Sequence, residues 1–126
     1  MEYLLKEVFY LKTETRKDYP PVDIYENKNA VVFVIDLPGI ETEDVLIKVY
    51  HNLLIIEGMK REPISERSGI YICMEREFDS FRRILPIPVP VNPADGRATY
   101  SDGVLTVTLP KPKDRVYKIK IEIEKE

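Results

Sequence analysis

The chain has little of the residue types on which most catalytic and extracellular proteins depend. Its 126 residues include one cysteine, one histidine and five glycines. The single thiol, Cys73, cannot close an internal disulfide, which fits a reducing compartment. The glycines form neither Gly-x-x-x-x-Gly-Lys nor Gly-x-Gly-x-x-Gly, so we expect no nucleotide-binding loop.

The one histidine, His51, stands beside Asn52 between two apolar runs that predict a hairpin. A Ser-His-Asp or Cys-His site would have to use it, and a solvated turn residue is the better interpretation. His51 and Cys73 lie in separate segments, which does not supply the several ligands of a metal site. We therefore expect no enzyme activity, no metal and no cofactor.

The charges nearly balance, with 19 basic against 22 acidic residues and a net charge of −3. The signs are interspersed, without the basic run that phosphate backbones require, so nucleic-acid binding is not expected. No stretch approaches the ~20 apolar residues of a membrane-spanning helix. The start, Met1-Glu2-Tyr3, does not resemble a signal peptide. These features predict a soluble cytoplasmic protein.

The length suggests one domain whose core needs no disulfide or metal. We divide the chain into an N-terminal arm (1–19), a domain (20–110) and a C-terminal tail (111–126). Short β-branched and aromatic runs with frequent turn signals predict an all-β sandwich or barrel. The predicted strands are Val22–Tyr25, Ala30–Leu37, Val45–Tyr50, Leu53–Glu57, Tyr71–Met74, Phe81–Ile87, Arg97–Ser101 and Val104–Leu109.

The two ends of the chain carry regular apolar patterns. Residues 3–12 have helical spacing, and so short a helix is marginal unless it packs on its own domain, a neighbouring subunit or a client. Pro110 and Pro112 separate the tail from the last strand. The tail then alternates apolar and charged residues, which suits addition to a sheet edge of its own chain or a neighbour. The apolar positions are Leu4, Leu5, Val8, Phe9 and Leu11 in the arm, and Ile119, Ile121 and Ile123 in the tail.

The most specific motif runs from Ala98 to Leu105 and reads Ala-Thr-Tyr-Ser-Asp-Gly-Val-Leu. It resembles the Ala-x-x-x-x-Gly-Val-Leu signature of the small heat shock protein family, bacterial and archaeal type. Further elements agree with the family in order and spacing: Val22-Asp23-Ile24-Tyr25-Glu26, Asp36-Leu37-Pro38-Gly39, Phe81-x-Arg83 before Ile87-Pro88, and Ile119-Lys120-Ile121. The resemblance covers about residues 20–123 and implies an α-crystallin domain, which is an immunoglobulin-like β-sandwich.

Parts of this motif have a direct physical interpretation. Gly103 permits the positive φ of a tight hairpin turn, and Asp102 tolerates left-handed geometry. Ala98 is small where its strand and a neighbour are expected to approach closely. Two positions depart from the family: Asp79 stands where members often have glycine, and Pro86 within a strand implies an edge or a bulge.

The resemblance implies two contacts between subunits. In the first, the strand within the long loop crosses to the partner's sandwich, with an arginine nearby; here these are Tyr71, Ile72, Cys73, Met74, Arg76 and Arg83. The alternative is that this strand folds on its own chain. In the second, an Ile-x-Ile tail segment inserts into a groove on a neighbour, lined here by Val45, Ile47, Val49, Ala98 and Tyr100. Ile119/Ile121 and Ile121/Ile123 both fit, and we favour the first pair.

The resemblance implies an ATP-independent holdase that binds partly unfolded clients and assembles from strand-exchanged dimers into oligomers. Two alternatives stay open. One is a structural or adaptor sandwich like the CS-domain cochaperones, which share the general fold. The other is a short-armed family member that assembles poorly and protects few clients.

Overall fold

The computed structural model describes residues 18–62, 69–113 and 118–124. The predicted arm positions Leu4, Leu5, Val8, Phe9 and Leu11 lie outside the described residues. In those ranges no helix is long and apolar enough to cross a bilayer.

Within the described ranges, seven strands form two antiparallel sheets, which confirms the all-β prediction. The four-stranded sheet has the order β1-β2-β7-β6, and the three-stranded sheet has the order β3-β4-β5. The strands are β1 (Val22–Glu26), β2 (Ala30–Asp36), β3 (Val45–Tyr50), β4 (Leu53–Met59), β5 (Ser80–Pro86), β6 (Arg97–Ser101) and β7 (Val104–Pro110).

Two tight turns set the registers of the hairpins. His51, between β3 and β4, has a φ of 54°, and this register pairs Tyr50 with Leu53. Asp102 and Gly103, between β6 and β7, have φ of 53° and 76°, which is the geometry of a primed hairpin turn. A Cβ on Gly103 would stand 3.2 Å from Cα of Pro38. The sequence interpretation of both turns is confirmed.

The core lies between the inner faces of the two sheets. Alternate residues of β7 (Leu105, Val107 and Leu109) are buried while the threonines between them are only half-buried, as the alternation predicted. They pack in one cluster with β2, whose Phe33 and Ile35 are fully buried. The three-stranded sheet completes this cluster with Leu54, Ile56, Phe81 and Leu85.

The stacking of the sheets follows from contacts at one side of the sandwich. Arg83 on β5 donates from Nη1 to the carbonyl of Pro20, just before β1, at 2.8 Å. Tyr19 meets Phe81 edge-on, with ring centroids 6.3 Å apart. The edge strand β5 therefore lies beside the edge strand β1. The opposite edges, β3 and β6, consequently share the other side of the sandwich.

Two strand predictions need correction. Tyr71–Arg76, predicted to contain a strand, forms none in the described chain, because no second backbone lies beside it to accept and donate ladder hydrogen bonds. The strand predicted at Phe81–Ile87 runs one residue earlier, and its Pro86 lies on an edge strand, as expected. Ala98 is exposed on the edge strand β6, so its expected close approach to a neighbour stays a prediction.

Candidate functional site

The predicted groove lies where β3 and β6 form the open side of the sandwich. Val45, Ile47 and Val49 alternate along β3 as half-buried residues and pack against the core cluster. Tyr100 on β6 packs against the same cluster and donates from Oη to the carbonyl of Leu37 at 2.6 Å. Ala98 lies exposed on the same strand. The structure thus brings the five predicted groove residues to two neighbouring edges, as an incompletely covered apolar strip.

The tail presents a matching apolar edge. Ile119, Ile121 and Ile123 are 90%, 87% and 85% exposed. Residues 118–124 form no strand and contribute nothing to the buried core of the described chain. The structure does not bring these isoleucines to the groove of their own subunit.

The predicted exchange segment is also exposed. Ile72 is 99% exposed, and Tyr71 and Met74 are more than half exposed. Its contacts are local: Tyr71 Oη lies 3.2 Å from Glu62 Oε1, and Cys73 Sγ lies 3.6 Å from Glu75 Oε1. The guanidinium of Arg76 stands 4.9 Å from the ring centroid of Phe78. Arg83 is placed apart from these residues, on β5 against Pro20.

Sequence reasoning missed an apolar surface on the outer face of the three-stranded sheet. Leu46, Tyr50 and Ile84 point away from the core and are 56%, 63% and 51% exposed. The signal was present in the sequence, because Leu53-Leu54-Ile55-Ile56 is apolar on both strand faces, as in a sheet covered on both sides. We refer to Leu46, Tyr50, Leu53, Ile55, Ile84 and Pro86 as the outer apolar face.

An ion-pair cluster lies at one end of the outer apolar face. Glu57 contacts Lys48 Nζ through Oε1 and lies 4.0 Å from Arg82 Nε through Oε2. The hydrogen bond from Lys48, aided by the two positive charges, holds the pKa of Glu57 below its ordinary value. Glu57 therefore belongs to a small ion-pair network with Lys48 and Arg82.

Comparison with known proteins agrees with this architecture. The model of the Hsp20/alpha crystallin family matches residues 23–124. Small heat shock protein C2 of Rickettsia felis is 32% identical over 117 residues, which cover 92% of this chain and 75% of that protein. Among several curated relatives, the chain spans from about half to three quarters of their length.

Solved structures show the same fold. Heat shock protein 16.0 of Schizosaccharomyces pombe has a TM-score of 0.66 and 33% identity, over 83% of this chain and 97% of that chain. A small heat shock protein of Xylella fastidiosa has a TM-score of 0.68 and 28% identity, over 86% and 99%. The chain therefore belongs to the Hsp20/alpha crystallin family of small heat shock proteins, which are ATP-independent chaperones and not enzymes.

Proposed function

We propose that this chain is a cytoplasmic holdase that binds partly unfolded proteins and assembles from strand-exchanged dimers into larger oligomers. The observation that carries the proposal is a folded sandwich with a tail whose three isoleucines are 85–90% exposed. The β3/β6 edges offer a half-buried apolar strip of the kind that such a tail would complete. Apolar surface that is exposed on both partners of a contact favours association between subunits.

The tail contact is weak by itself. Burial of Ile119 and Ile121 would gain roughly 3–6 kcal/mol in total. Ordering several tail residues costs about 1–2 kcal/mol for each. A single tail would consequently dock and leave readily, whereas many tails in one assembly would act together through avidity. Such an assembly stores subunits and releases them.

The dimer contact uses the other side of the sandwich. β1 is an edge strand, so its outer N–H and C=O groups can pair with an incoming strand. The segment from Tyr71 to Arg76 has exposed side chains and no ladder partner in the described chain. Exchange of this segment between two subunits would pair both sets of backbone groups.

Protection of clients needs no ATP in this scheme. A partly unfolded protein exposes apolar surface, and its binding to the chaperone competes with its self-aggregation by mass action. Subunits released from the assembly expose their own apolar edges to such chains. The similar protein of Xylella fastidiosa is described as having a distinct high order structure, which is consistent with assembly as a working feature here.

Light scattering tests both parts of the proposal. The first measurement is the mass in solution across concentration and temperature, where a large assembly that loosens on heating is expected. The second is suppression of aggregation of a heat-labile client without ATP. A fixed monomer or dimer that protects no client would contradict the holdase and favour the adaptor alternative.

A further inference from the structure

The outer apolar face spans three adjacent cross-strand rows. Tyr50 pairs with Leu53, which pairs with Pro86; in the next row Lys48 pairs with Ile55, which pairs with Ile84. The third row, Leu46–Glu57–Arg82, contains the carboxylate of Glu57, which pairs with Arg82 in its own row and with Lys48 in the second row. The apolar side chains therefore gather at the hairpin end of the sheet, where the first two rows carry one charge, Lys48, which lies on the edge strand β3 and pairs with Glu57.

A depression extends this face beyond the hairpin. It measures about 360 Å³ and is lined mainly by apolar side chains. The backbone joins it to the sheet, because the N–H of Ile87 donates to the carbonyl of Asn52 at 2.7 Å. Its lining residues are His51, Asn52, Ile87, Pro88, Val89, Pro90, Val91 and Pro93. The depression therefore adjoins the hairpin end of the outer apolar face, and the two form the candidate docking surface.

The chain supplies its own candidate to cover that surface. The arm connects to the described chain beside Phe81 on β5, since Tyr19 packs against that ring. Going from Phe81 to Pro86 along β5 takes about 17 Å. Residues 13–18 can span up to about 20 Å when extended, and a helix over 3–12 would add about 15 Å. The apolar arm residues can therefore reach every part of the surface.

We propose that the arm docks across the outer apolar face of its own subunit, with its apolar stripe over Ile84 and Ile55. The same contact hides two apolar surfaces at once, the arm and the sheet. The inference goes beyond the holdase proposal, because docking of the arm does not depend on which clients the protein binds.

Absence of tryptophan from the chain makes the arm easy to monitor. In full-length protein, Phe9→Trp places a single indole in the arm. We expect blue-shifted emission that is protected from acrylamide quenching. Adding Ile84→Lys should weaken docking about tenfold or more, because it removes a buried isoleucine and buries a charge, and should therefore move the emission to the red and raise quenching.

Thr106→Lys is the matched control. Thr106 lies on the outer face of the four-stranded sheet, where it pairs with Val34 and Thr99, so the same charge there should leave the emission unchanged. Far-ultraviolet circular dichroism checks that both variants keep their sheets. Emission that does not respond to Ile84→Lys, or that responds equally to Thr106→Lys, overturns the proposal. Neither result bears on client protection, which is measured separately.

Mixing subunits tests whether the arm uses its own face. Phe9→Trp protein is exchanged with excess Ile84→Lys protein that lacks tryptophan, and with excess unmodified protein as the control. An arm docked on its own subunit keeps its blue-shifted emission in both mixtures. A red shift only in the Ile84→Lys mixture would show that the arm docks on a neighbour, and would overturn the assignment to the same subunit.

Discussion

Replacement of single tail isoleucines by alanine tests the tail contact most directly. Ile119, Ile121 and Ile123 share one strand face and are almost fully exposed in the subunit. Their replacement therefore costs the isolated subunit very little stability. Any change in assembly mass would reflect the contact between subunits and not the fold.

The expected magnitude follows from the carbon atoms removed. Isoleucine to alanine deletes three carbons, and each buried carbon group contributes about 0.8 kcal/mol, or about 2.4 kcal/mol in total. This corresponds to a loss of about 50-fold in the affinity of one tail for one groove. Because each assembly holds many tails, a loss of this size in every tail should shift the mass toward dimers.

Each of the three alanine variants serves as an experimental control for the other two. If Ile119 and Ile121 occupy the groove, each alanine variant should shift the mass at a given concentration. Ile123→Ala should behave like the unmodified protein. Light scattering or sedimentation over a concentration series measures the midpoint of assembly for each variant. Ile119→Ala/Ile121→Ala should be dimeric throughout.

Two patterns would refute the reasoning in different ways. A silent Ile119→Ala with a disruptive Ile123→Ala would place the tail two residues further along in the groove. Unchanged mass in all three variants and in the double variant would show that the tail does not bridge subunits. A change in the groove, Ile47→Ala, should match the effect of the disruptive tail variants if the two surfaces meet.

Four further predictions concern the fold and the arm. Removal of residues 1–12 should reduce protection of a heat-aggregating client while the sheet signal in circular dichroism is retained; full protection would exclude the arm as a capture surface. Gly103→Ala should lower stability in urea by about 1–3 kcal/mol, because its φ of 76° strains an L residue; an unchanged midpoint would contradict this. Phe33→Ala should cost about 3–5 kcal/mol in the same assay, since the ring is fully buried. Because the pKa of Glu57 is lowered, its ionised form stabilises the fold above the unfolded-state pKa, and this stabilisation is lost as pH falls through the folded-state pKa. The difference in stability between the unmodified protein and Glu57→Gln should therefore become smaller in acid. A difference that becomes larger in acid would contradict this prediction.

The strands that the sequence predicted well are those whose pattern is local. Leu105 to Leu109 alternate with threonines, and the turns at His51 and Asp102-Gly103 have residues that tolerate positive φ. Period and turn chemistry decide such elements without information from distant parts of the chain. Their bounds in the structure differ from the predicted ones by at most two residues.

The elements that were harder to predict depend on partners outside the local segment. Tyr71 to Met74 has strand-like residues, but a strand needs a second backbone, and the single subunit does not supply one. The small side chain of Ala98 indicates a close approach between its strand and a neighbour. Its strand lies at a sheet edge, so the exposure of Ala98 depends on what docks there. The outer apolar face was missed because Leu53 to Ile56 looks like a buried strand, and only the sheet order shows which half faces solvent.

The sheet order also separates the two kinds of contact proposed for assembly. β1 and β6 are opposite edges of the four-stranded sheet, so a partner at β1 leaves the groove beside β6 accessible. A dimer would then carry two vacant grooves and two unattached tails, and each new tail contact would join it to another dimer without breaking the first interface. Subunit pairing and higher assembly can thus respond to temperature independently, so that heating can dissolve the oligomer into intact dimers before any sandwich unfolds.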